Sequence, residues 1–258
     1  MEKPVVPLTG YDQVRYQRQM LLPEWGEAGQ SKLKASSVFI AGAGGLGSPV
    51  SCYLAVAGVG EIRICDADNV ELSNLNRQIL HSDARIGEPK AASAEKTLKE
   101  LNPVIRVIPS SDRLTVHNVD RIVGNPDIVV DCLDNYETRF VLNAYCIRHD
   151  ISLVHGVVWG MLGQVTFLHP PEDPCPRCIF PEAPPAERVP VVGATPGLVG
   201  CIQALEVLKY LTGIGTPLTG RLLIVDGAAM SFDRLTVERR PSCPDCGTLD
   251  GSLFRTTE

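Results

Sequence analysis

The sequence predicts an α/β fold built on a Rossmann-like, mostly parallel sheet that antiparallel strands extend. Over the first 150 positions, short apolar runs typical of buried strands alternate with helical patterns, which is the order of βαβ units. Later in the chain the apolar runs crowd together with fewer helices between them, which predicts antiparallel strands there. A glycine-rich loop, GAGGLG at 42–47, follows the first apolar run directly. The length of 258 residues leaves ample room for the core of such a fold.

Each element is predicted from its local pattern. Apolar runs predict eight strands at 37–42, 61–68, 104–109, 127–134, 152–158, 163–169, 222–227 and 235–240. Helical periodicity predicts helices at 12–22, 46–59, 88–101, 135–150 and 201–211. The proline-rich segment 171–190 predicts a long irregular crossover, because proline disfavours the interiors of helices and strands.

The composition disfavours several classes of protein. A net charge of -6 without any Lys/Arg-rich run disfavours a nucleic-acid-binding surface. No apolar stretch approaches the roughly 18 residues of a membrane helix, and the start MEKPVVPLTG lacks the apolar core of a signal peptide. We therefore expect a cytoplasmic protein without a membrane or nucleic-acid partner.

The nine cysteines are of two kinds. Cys175-Pro-Arg-Cys178 and Cys243-Pro-Asp-Cys246 form two C-x-x-C pairs, which is the spacing of a closed tetrahedral Zn²⁺ site. The alternative is redox dithiols, but such a motif normally begins a helix, whereas we expect both pairs on loops flanked by Pro and Gly. These four cysteines predict a structural zinc site. The other five lie in apolar surroundings and are predicted to be core residues: Cys52, Cys65, Cys132, Cys146 and Cys201.

The glycine loop and an acidic pair downstream indicate a nucleotide site. Gly42 lets the chain turn tightly after the strand, Gly44 lets backbone N–H groups approach a phosphate, and Gly47 lets helix and strand pack closely. Asp66 and Asp68 follow the second strand roughly 20 residues on, where a carboxylate can accept from ribose hydroxyls. A tight turn without any ligand is the alternative, and the glycines alone do not distinguish NAD from ATP.

Two cations and a carboxylate favour ATP. Lys90 follows Pro89 in the first turn of a helix, where a cation opposes the helix dipole unless an anion lies nearby. With Arg77 it predicts a clamp on a polyphosphate. Asp134, at the end of the fourth strand, either holds Mg²⁺ or caps the next helix in a capping box with Glu137. An NAD-dependent oxidoreductase, the alternative from first principles, needs none of these groups.

Together these motifs resemble the ThiF/MoeB/HesA family of adenylating enzymes, the bacterial relatives of ubiquitin-activating E1 enzymes. The motifs are RYQRQ (15–19), GAGGLG (42–47), SNLNRQ (73–78), PK (89–90), DCLDN (131–135) and the paired C-x-x-C sequences. The resemblance implies an ATP-dependent adenylyltransferase. Its substrate would be the C-terminal Gly-Gly carboxylate of a small ubiquitin-like sulfur-carrier protein, and pyrophosphate would be released before sulfur transfer.

The resemblance also implies roles for the site residues. Asp66 would bind ribose, Arg77 and Lys90 the triphosphate, and Asp134 Mg²⁺. The nucleotide-binding set comprises Gly42, Gly44, Gly45, Gly47, Asp66, Asp68, Asn74, Arg77 and Lys90, with Asn74 against the phosphates. The set expected to act on the reacting groups comprises Arg18, Arg77, Lys90 and Asp134.

The same resemblance implies an organisation. Arg18 would reach into the other subunit's site as an arginine finger, which implies a homodimer. One adenylation domain would span 1–258, with a helical segment 1–36 that contributes to the dimer. Residues 37–150 would form the nucleotide-binding half, and 151–258 the carrier-binding and zinc half.

One departure from the family concerns sulfur chemistry. Some members carry a cysteine in the crossover that links covalently to the carrier, but residues 182–200 contain none. Cys201 follows at once and is predicted to be packed within a helix, so sulfur is expected from a separate donor protein. The apolar stretch 191–200 is expected to form part of the groove for the carrier's tail. Two alternatives remain: a tRNA-directed adenylating dehydratase, which the lack of a basic surface disfavours, and a scaffold with a dead site, which the intact clamp disfavours.

Overall fold

The computed structural model describes residues 6–169, 173–183 and 190–247, and these residues are built around an eight-stranded sheet. The strands are β1 (Ser37–Ala41), β2 (Glu61–Cys65), β3 (Arg106–Ser110), β4 (Ile128–Asp131), β5 (Ser152–Trp159), β6 (Leu162–Leu168), β7 (Arg221–Asp226) and β8 (Ser231–Thr236). Their order across the sheet is β3-β2-β1-β4-β5-β6-β7-β8. The first five are parallel, and β6, β7 and β8 add antiparallel pairs. The predicted fold class is confirmed.

Nine α-helices occur in the described residues. They are α1 (Gly10–Arg15), α2 (Gln17–Met20), α3 (Gly26–Ala35), α4 (Gly47–Ala57), α5 (Lys90–Leu101), α6 (Val119–Val123), α7 (Tyr136–His149), α8 (Pro176–Ile179) and α9 (Ala194–Thr212). The helix predicted at 12–22 is in fact two short helices. Thr9 caps the first in a reciprocal capping box with Asp12, so this helix starts two residues early. It ends at Arg15, and Tyr16 separates it from α2.

The sheet is buried on both faces, and β1 shows why. Val38 and Ile40 point into one core with α3, α4, α5 and α9, whereas Phe39 and Ala41 point into the other with α6 and α7. Successive side chains of a strand alternate between the two faces of a sheet, so a central parallel strand covered on both sides is apolar throughout. This explains why the strands were detectable as continuous apolar runs.

The last strand was predicted at the wrong residues. The predicted range is 235–240, but β8 pairs with β7 from Ser231 to Thr236. The connection is a tight turn in which the Asp226 carboxylate accepts from the N–H groups of Ala228 and Ala229, at 2.9 and 3.0 Å. The loop holds four residues, 227–230, rather than the two of the commonest hairpin, so the Asp-Gly dipeptide at 226–227 does not by itself place the start of β8.

None of the helices in the described ranges is long and apolar enough to cross a membrane.

Candidate active site

The predicted nucleotide-site loops meet at the carboxyl edge of the parallel strands. The glycine loop follows β1, Asp66 follows β2, and Asp134 lies three residues beyond the end of β4. Because β1 pairs with both β2 and β4, the loops that leave these three strands lie side by side. Open parallel sheets bind ligands in the crevice at this edge.

Two glycines are required by the geometry of the loop. Gly42 has a φ of +101°, and a Cβ there would lie 2.6 Å from the Cys132 carbonyl oxygen. A Cβ on Gly47 would lie 1.9 Å from the Gly42 carbonyl oxygen. The loop after β4 is therefore packed directly against the glycine loop, with no space for a side chain between them.

Three consecutive amides of the glycine loop are free to bind a ligand. Among the described residues, no group accepts a hydrogen bond from the N–H of Gly44, Gly45 or Leu46. These amides immediately precede α4, whose N-terminal end carries the positive pole of the helix dipole. Unpaired amides at a helix N-terminus favour the binding of a phosphate.

Asp66 fixes the start of this loop. Its Oδ2 accepts from the Ala43 N–H at 2.8 Å, and its Oδ1 accepts from the Asp68 N–H at 2.9 Å. Burial raises the pKa of Asp66, and this effect outweighs the lowering by the Lys90 charge and the two amide hydrogen bonds. Each carboxylate oxygen can accept a second hydrogen bond, so Asp66 keeps acceptor capacity for ribose hydroxyls.

The lysine of the predicted clamp has an anionic partner in its own chain. The Lys90 side chain is only 8% exposed, and its Nζ lies 3.0 Å from Asp68 Oδ2. The Lys90 N–H also donates to the Asp68 carbonyl at 2.8 Å. Two residues predicted to bind nucleotide therefore bind each other, and Asp68 holds the ammonium beside Asp66. Asp68 is thus the anion that a lysine at a helix N-terminus requires.

Arg77 lies on the other side of the glycine loop. Its Nη1 donates to the Ser73 carbonyl at 2.9 Å and to Asn76 Oδ1 at 3.0 Å. A Cβ on Gly45 would lie 3.6 Å from Arg77 Cγ and 3.2 Å from Pro196 at the start of α9. The arginine, the glycine loop and the N-terminal end of α9 thus border the same space.

Asn74 is turned toward its own backbone. It is buried, and its Oδ1 accepts from the Glu71 N–H at 3.1 Å, which stabilises the turn that leads to Arg77. Its predicted position against the phosphates stays a prediction.

Asp134 does not cap α7, which corrects one of its two predicted roles. The cap is Asn135, whose Oδ1 accepts from the Thr138 N–H at 2.9 Å. Asp134 is exposed, two residues after Cys132, whose carbonyl packs against Gly42 of the glycine loop. Its carboxylate is therefore not used for the capping bond that the sequence analysis proposed as the alternative to metal binding.

Arg18 lies far from the glycine loop of its own chain. It is exposed on α2, and the neighbouring Gln19 donates from Nε2 to the Ala57 carbonyl at 2.7 Å. Ala57 ends α4, whereas the glycine loop precedes the start of that helix. At 1.5 Å per residue the two ends of α4 are about 16 Å apart. The structure therefore does not bring Arg18 together with the other predicted site residues of its chain.

The four paired cysteines form a separate, buried cluster. Their sulfur atoms all lie within 4.8 Å of one another, with Cys175 and Cys243 at 3.6 Å and Cys178 and Cys246 at 3.4 Å. Four thiolates around one Zn²⁺ at about 2.3 Å would be roughly 3.8 Å apart. These separations fit a tetrahedral metal ion.

The electrostatics of the cluster favour negative charge on one sulfur, that of Cys246. Hydrogen bonding from Cys175, and also from Cys178 and Cys243, lowers the pKa of Cys246 to about 5, whereas the hydrogen bond to Cys246 raises the pKa of Cys175 and burial raises that of Cys178. The Arg240 N–H points to Cys178 Sγ at 3.4 Å. The expectation that both pairs lie on loops is wrong for the first pair, because Cys175 occupies the N-cap position of the single turn α8. The convergence of four sulfurs, rather than the absence of a helix, makes the metal interpretation the better one.

Cys201 is in α9 as expected but is only half-buried. It lines an apolar groove of about 350 Å³ between α2, α4 and α9. Burial raises the pKa of its thiol. Cys52 is likewise half-buried, whereas Cys65, Cys132 and Cys146 are core residues as predicted.

Sequence reasoning missed several residues that support the site from below. His81 is buried, with Nε2 2.9 Å from the Ala43 carbonyl and Nδ1 2.9 Å from Ser93 Oγ, so it holds the glycine loop. Gln203 on α9 donates from Nε2 to the Asp131 carbonyl at 2.9 Å. No local pattern marks these residues, because their partners are distant in sequence.

Comparison with known proteins agrees with this arrangement. Residues 16–245 match the ThiF family, and the chain belongs to that family. It is 46% identical over 244 residues to the sulfur carrier protein adenylyltransferase of Thermus thermophilus and covers 90% of both chains. It is also 46% identical over 239 residues to the SAMP-activating enzyme E1 of Haloferax volcanii, covering 90% of this chain and 88% of that one. The adenylyltransferase and sulfurtransferase MOCS3 of Mus musculus is 43% identical, and the chain spans 52% of its length.

Solved structures share the fold. MccB of E. coli in complex with MccA-N7isoASN superposes with a TM-score of 0.83 at 23% identity, covering 92% of this chain and 75% of that one. MccB with ATP gives a TM-score of 0.80 at 24% identity, covering 90% and 73%. At this identity the likeness establishes the architecture, and the argument for function comes from the site and the relatives above.

Proposed function

We propose that this protein is an ATP-dependent adenylyltransferase that activates the C-terminal Gly-Gly carboxylate of a small ubiquitin-like sulfur-carrier protein. The observation that carries the proposal is the placement of Asp66, Lys90 and Arg77 around a glycine loop with three unpaired amides, with Asp134 on the adjoining loop after β4. Two relatives at 46% identity are named sulfur carrier protein adenylyltransferase and SAMP-activating enzyme E1, which supports the proposal.

The reaction needs positioning and charge neutralisation rather than a general base. The carrier's carboxylate, already ionised, forms a bond from its oxygen to the α-phosphorus of ATP. The bond from that phosphorus to the bridging oxygen of the β-phosphate breaks, and pyrophosphate leaves with the electron pair. Lys90 and Arg77 would stabilise the charge that builds on the phosphates, and Asp66 would hold the ribose.

Asp134 would hold Mg²⁺, since an exposed carboxylate beside a phosphate site is the ligand that this hard cation prefers. When bound, Mg²⁺ neutralises the leaving phosphates. Other residues of the chain would then have to keep the Asp134 carboxylate directed at these phosphates.

The carrier's tail would enter beside the start of α9. Two hydrogen bonds hold residues 190–192 to the end of β5. The Gly160 N–H donates to the Pro190 carbonyl, and the Val192 N–H donates to the Gly160 carbonyl at 3.3 Å. Gly193 touches the backbone of Asn76 and Arg77, so this segment leads to the clamp. Exposed apolar side chains at its outer end, Trp159 and Val192 among them, offer a contact for the carrier's body.

The enzyme would act as a homodimer in which Arg18 completes the partner's site. Arg18 lies at the wrong end of α4 to serve its own. The adjacent groove is lined by Gln19, Tyr53 and Leu205, the last two being exposed apolar residues that a second copy of the chain would cover. A separate protein would donate sulfur, and the cysteine cluster would hold structural Zn²⁺. The division into a nucleotide-binding half (37–150) and a carrier and zinc half (151–258) and the cytoplasmic location stay predictions.

The decisive test is ATP–pyrophosphate exchange with labelled pyrophosphate. We expect exchange to require Mg²⁺ and a carrier that ends in Gly-Gly. Arg77→Ala, Lys90→Ala and Asp134→Ala should each lower it at least about 10²-fold, toward background, because each removes a group that stabilises transferring phosphate. Arg106→Ala, which alters an exposed cation paired with Glu61, is the matched control and should be unaffected. Substantial exchange in all three clamp variants would refute the proposal.

The dimer requires its own experiment. Arg18→Ala and Asp134→Ala subunits are each expected to be inactive, and mixing them should restore one competent site in each mixed dimer. A fully active monomer, or a mixture that stays inactive although mixed dimers form, would exclude a finger supplied by the partner.

A further inference from the structure

Three charged or titratable side chains are buried together beneath the loop that carries Asp134. They are Asp131 at the end of β4, Arg139 on α7 and His155 on β5, which are 1%, 3% and 0% exposed. His155 Nδ1 lies 2.6 Å from Asp131 Oδ2, and Arg139 Nε lies 3.6 Å from the same oxygen. We call these three residues the loop anchor.

The protonation of the loop anchor follows from its surroundings. Burial lowers the pKa of His155 despite its hydrogen bond to Asp131, so the imidazole is neutral and donates from Nδ1. Burial alone would raise the pKa of Asp131, but the Arg139 charge and the His155 hydrogen bond outweigh it and lower that pKa. Asp131 is therefore an anion between a cation and a neutral donor.

Such an arrangement does little for stability. Among the described residues, Arg139 Nη1 and His155 Nε2 have no hydrogen-bond partner although both are buried. An unpaired buried polar group is destabilising, and apolar replacements of a buried ion pair are often neutral or stabilising. Burial of a charged cluster at this cost points to another role.

The contacts of the loop anchor show what that role is. Asp131 Oδ1 accepts from the Leu133 N–H at 3.0 Å, and Arg139 Nη2 donates to the Leu133 carbonyl. Arg139 Nη2 also donates to the Gly156 carbonyl at 3.1 Å, next to His155. The N–H and C=O of Leu133 are both fixed, and the following residue is Asp134.

The outer side of the loop anchor is closed by aromatic rings. Phe180, two residues after Cys178, packs at 5.5 Å from the His155 ring and 5.7 Å from the Tyr136 ring, measured between centroids. The Tyr136 ring in turn lies 5.0 Å from the Arg139 guanidinium. The segment that leaves the cysteine cluster thus covers the loop anchor.

We propose that Asp131, Arg139 and His155 are positioning residues that lock the Leu133 peptide and thereby direct the Asp134 carboxylate at the metal-bound phosphates. The role toward the metal rests on the proposed function, whereas the locking of the loop does not. Neither Arg139 nor His155 touches the nucleotide in this scheme.

Two pairs of variants test the proposal. Arg139→Lys keeps the charge but cannot reach Asp131 and both carbonyls at once, and Arg148→Lys on the same helix, an exposed partner of Asp120, is its control. His155→Leu fills the space without a donor, whereas His155→Asn places an amide N–H where Nδ1–H was. If the hydrogen bond from residue 155 to Asp131 matters, His155→Asn is the milder change. If packing alone matters, His155→Leu is the milder change.

The first readout is amide hydrogen exchange of the peptide that contains 131–135, measured without ligands. We expect about tenfold faster exchange in Arg139→Lys and His155→Leu, a partial return in His155→Asn, and no change in Arg148→Lys. The second readout is the Mg²⁺ concentration that half-activates carrier-dependent ATP–pyrophosphate exchange. This concentration should rise about tenfold in the same two variants, or ~1.4 kcal/mol.

The outcomes separate the two claims. The positioning role would be overturned if the variants unfold at lower temperatures while hydrogen exchange of 131–135 is unchanged. It would also be overturned if hydrogen exchange is faster in His155→Asn than in His155→Leu. Faster loop exchange with an unchanged Mg²⁺ requirement would show that the loop anchor locks Leu133 but does not direct Asp134. If the wild type shows no carrier-dependent exchange, the proposed function fails, and hydrogen exchange still decides whether the loop is locked. If Arg139→Lys does not fold, the two His155 variants decide it.

Discussion

The carboxyl edge of the parallel strands, called here the nucleotide edge, and the cysteine cluster are both predicted ligand sites, yet they are built in opposite ways. At the nucleotide edge, the amides of Gly44, Gly45 and Leu46 are unpaired, and Asp134 and Arg77 are accessible to solvent in whole or in part. In the cysteine cluster all four sulfurs are buried and face one another. The first site leaves its hydrogen-bonding groups available for ligands that bind and dissociate. In the second site the sulfurs are directed at one another. We therefore expect changes at the cluster to affect folding, and changes to the Arg77 and Asp134 side chains at the edge to affect turnover.

Breaking the cluster should have the largest effect on stability. Cys243→Ser or removal of metal by a chelator should lower the free energy of unfolding by at least about 4 kcal/mol, because a structural metal contributes directly to folding. Thermal unfolding and metal analysis of the purified protein test this. Fewer than one zinc per chain, with four free thiols and unchanged unfolding, would contradict it. Cys146→Ser, at a buried cysteine outside the cluster, is the control for loss of a core thiol.

The backbone of the nucleotide edge should give the next largest effect. Gly47→Ala should destabilise the protein by about 1–3 kcal/mol, because the new Cβ would meet the Gly42 carbonyl oxygen at 1.9 Å and the backbone must move. Gly197→Ala on α9 has no atom within 4 Å of the new Cβ and should be neutral or slightly stabilising. Chemical denaturation of the two variants measures the difference. Equal stability would mean that the loop adapts freely.

A smaller effect separates two adjacent residues at the same edge. Asn135→Ala should cost about 1 kcal/mol because it removes the α7 cap, whereas Asp134→Ala should leave stability unchanged while abolishing exchange. The expected shift of the unfolding temperature for Asn135→Ala is about 2–4 °C. The reverse order of stabilities would restore Asp134 as the cap and weaken its assignment to the metal.

The smallest effect is expected at Cys201, which belongs to neither region. Cys201→Ala should leave adenylation nearly intact, and no thiol-sensitive adduct of carrier and enzyme should accumulate, because the raised pKa leaves little thiolate. Intact-mass measurement of enzyme, carrier and Mg·ATP under non-reducing conditions tests this. A carrier-sized mass on the wild type that is lost in Cys201→Ala would show the thiol to be a nucleophile.

The contrast between the two regions also explains what the sequence could predict. The glycine loop, the acid after β2 and the C-x-x-C pairs are short motifs, so their chemistry is visible within a few positions. The loop anchor is not, because Asp131, Arg139 and His155 meet only through the β4–β5 register and the packing of α7. In the sequence, Arg139 resembles any surface cation of a helix. Asp134 and Asn135 are both good caps, and only the backbone geometry distinguishes them.

The antiparallel extension of the sheet has a consequence for engineering. Leu162 pairs with Asp226 and Asp226 with Ser231, so the turns that precede β6 and β8 project from one edge, the same edge as the nucleotide loops. The Gly227 N–H donates to the Met161 carbonyl at 2.8 Å and links the two turns to each other. Neither turn supplies a residue to the proposed phosphate clamp. Grafting these two turns between relatives should therefore leave the nucleotide chemistry of the recipient in place.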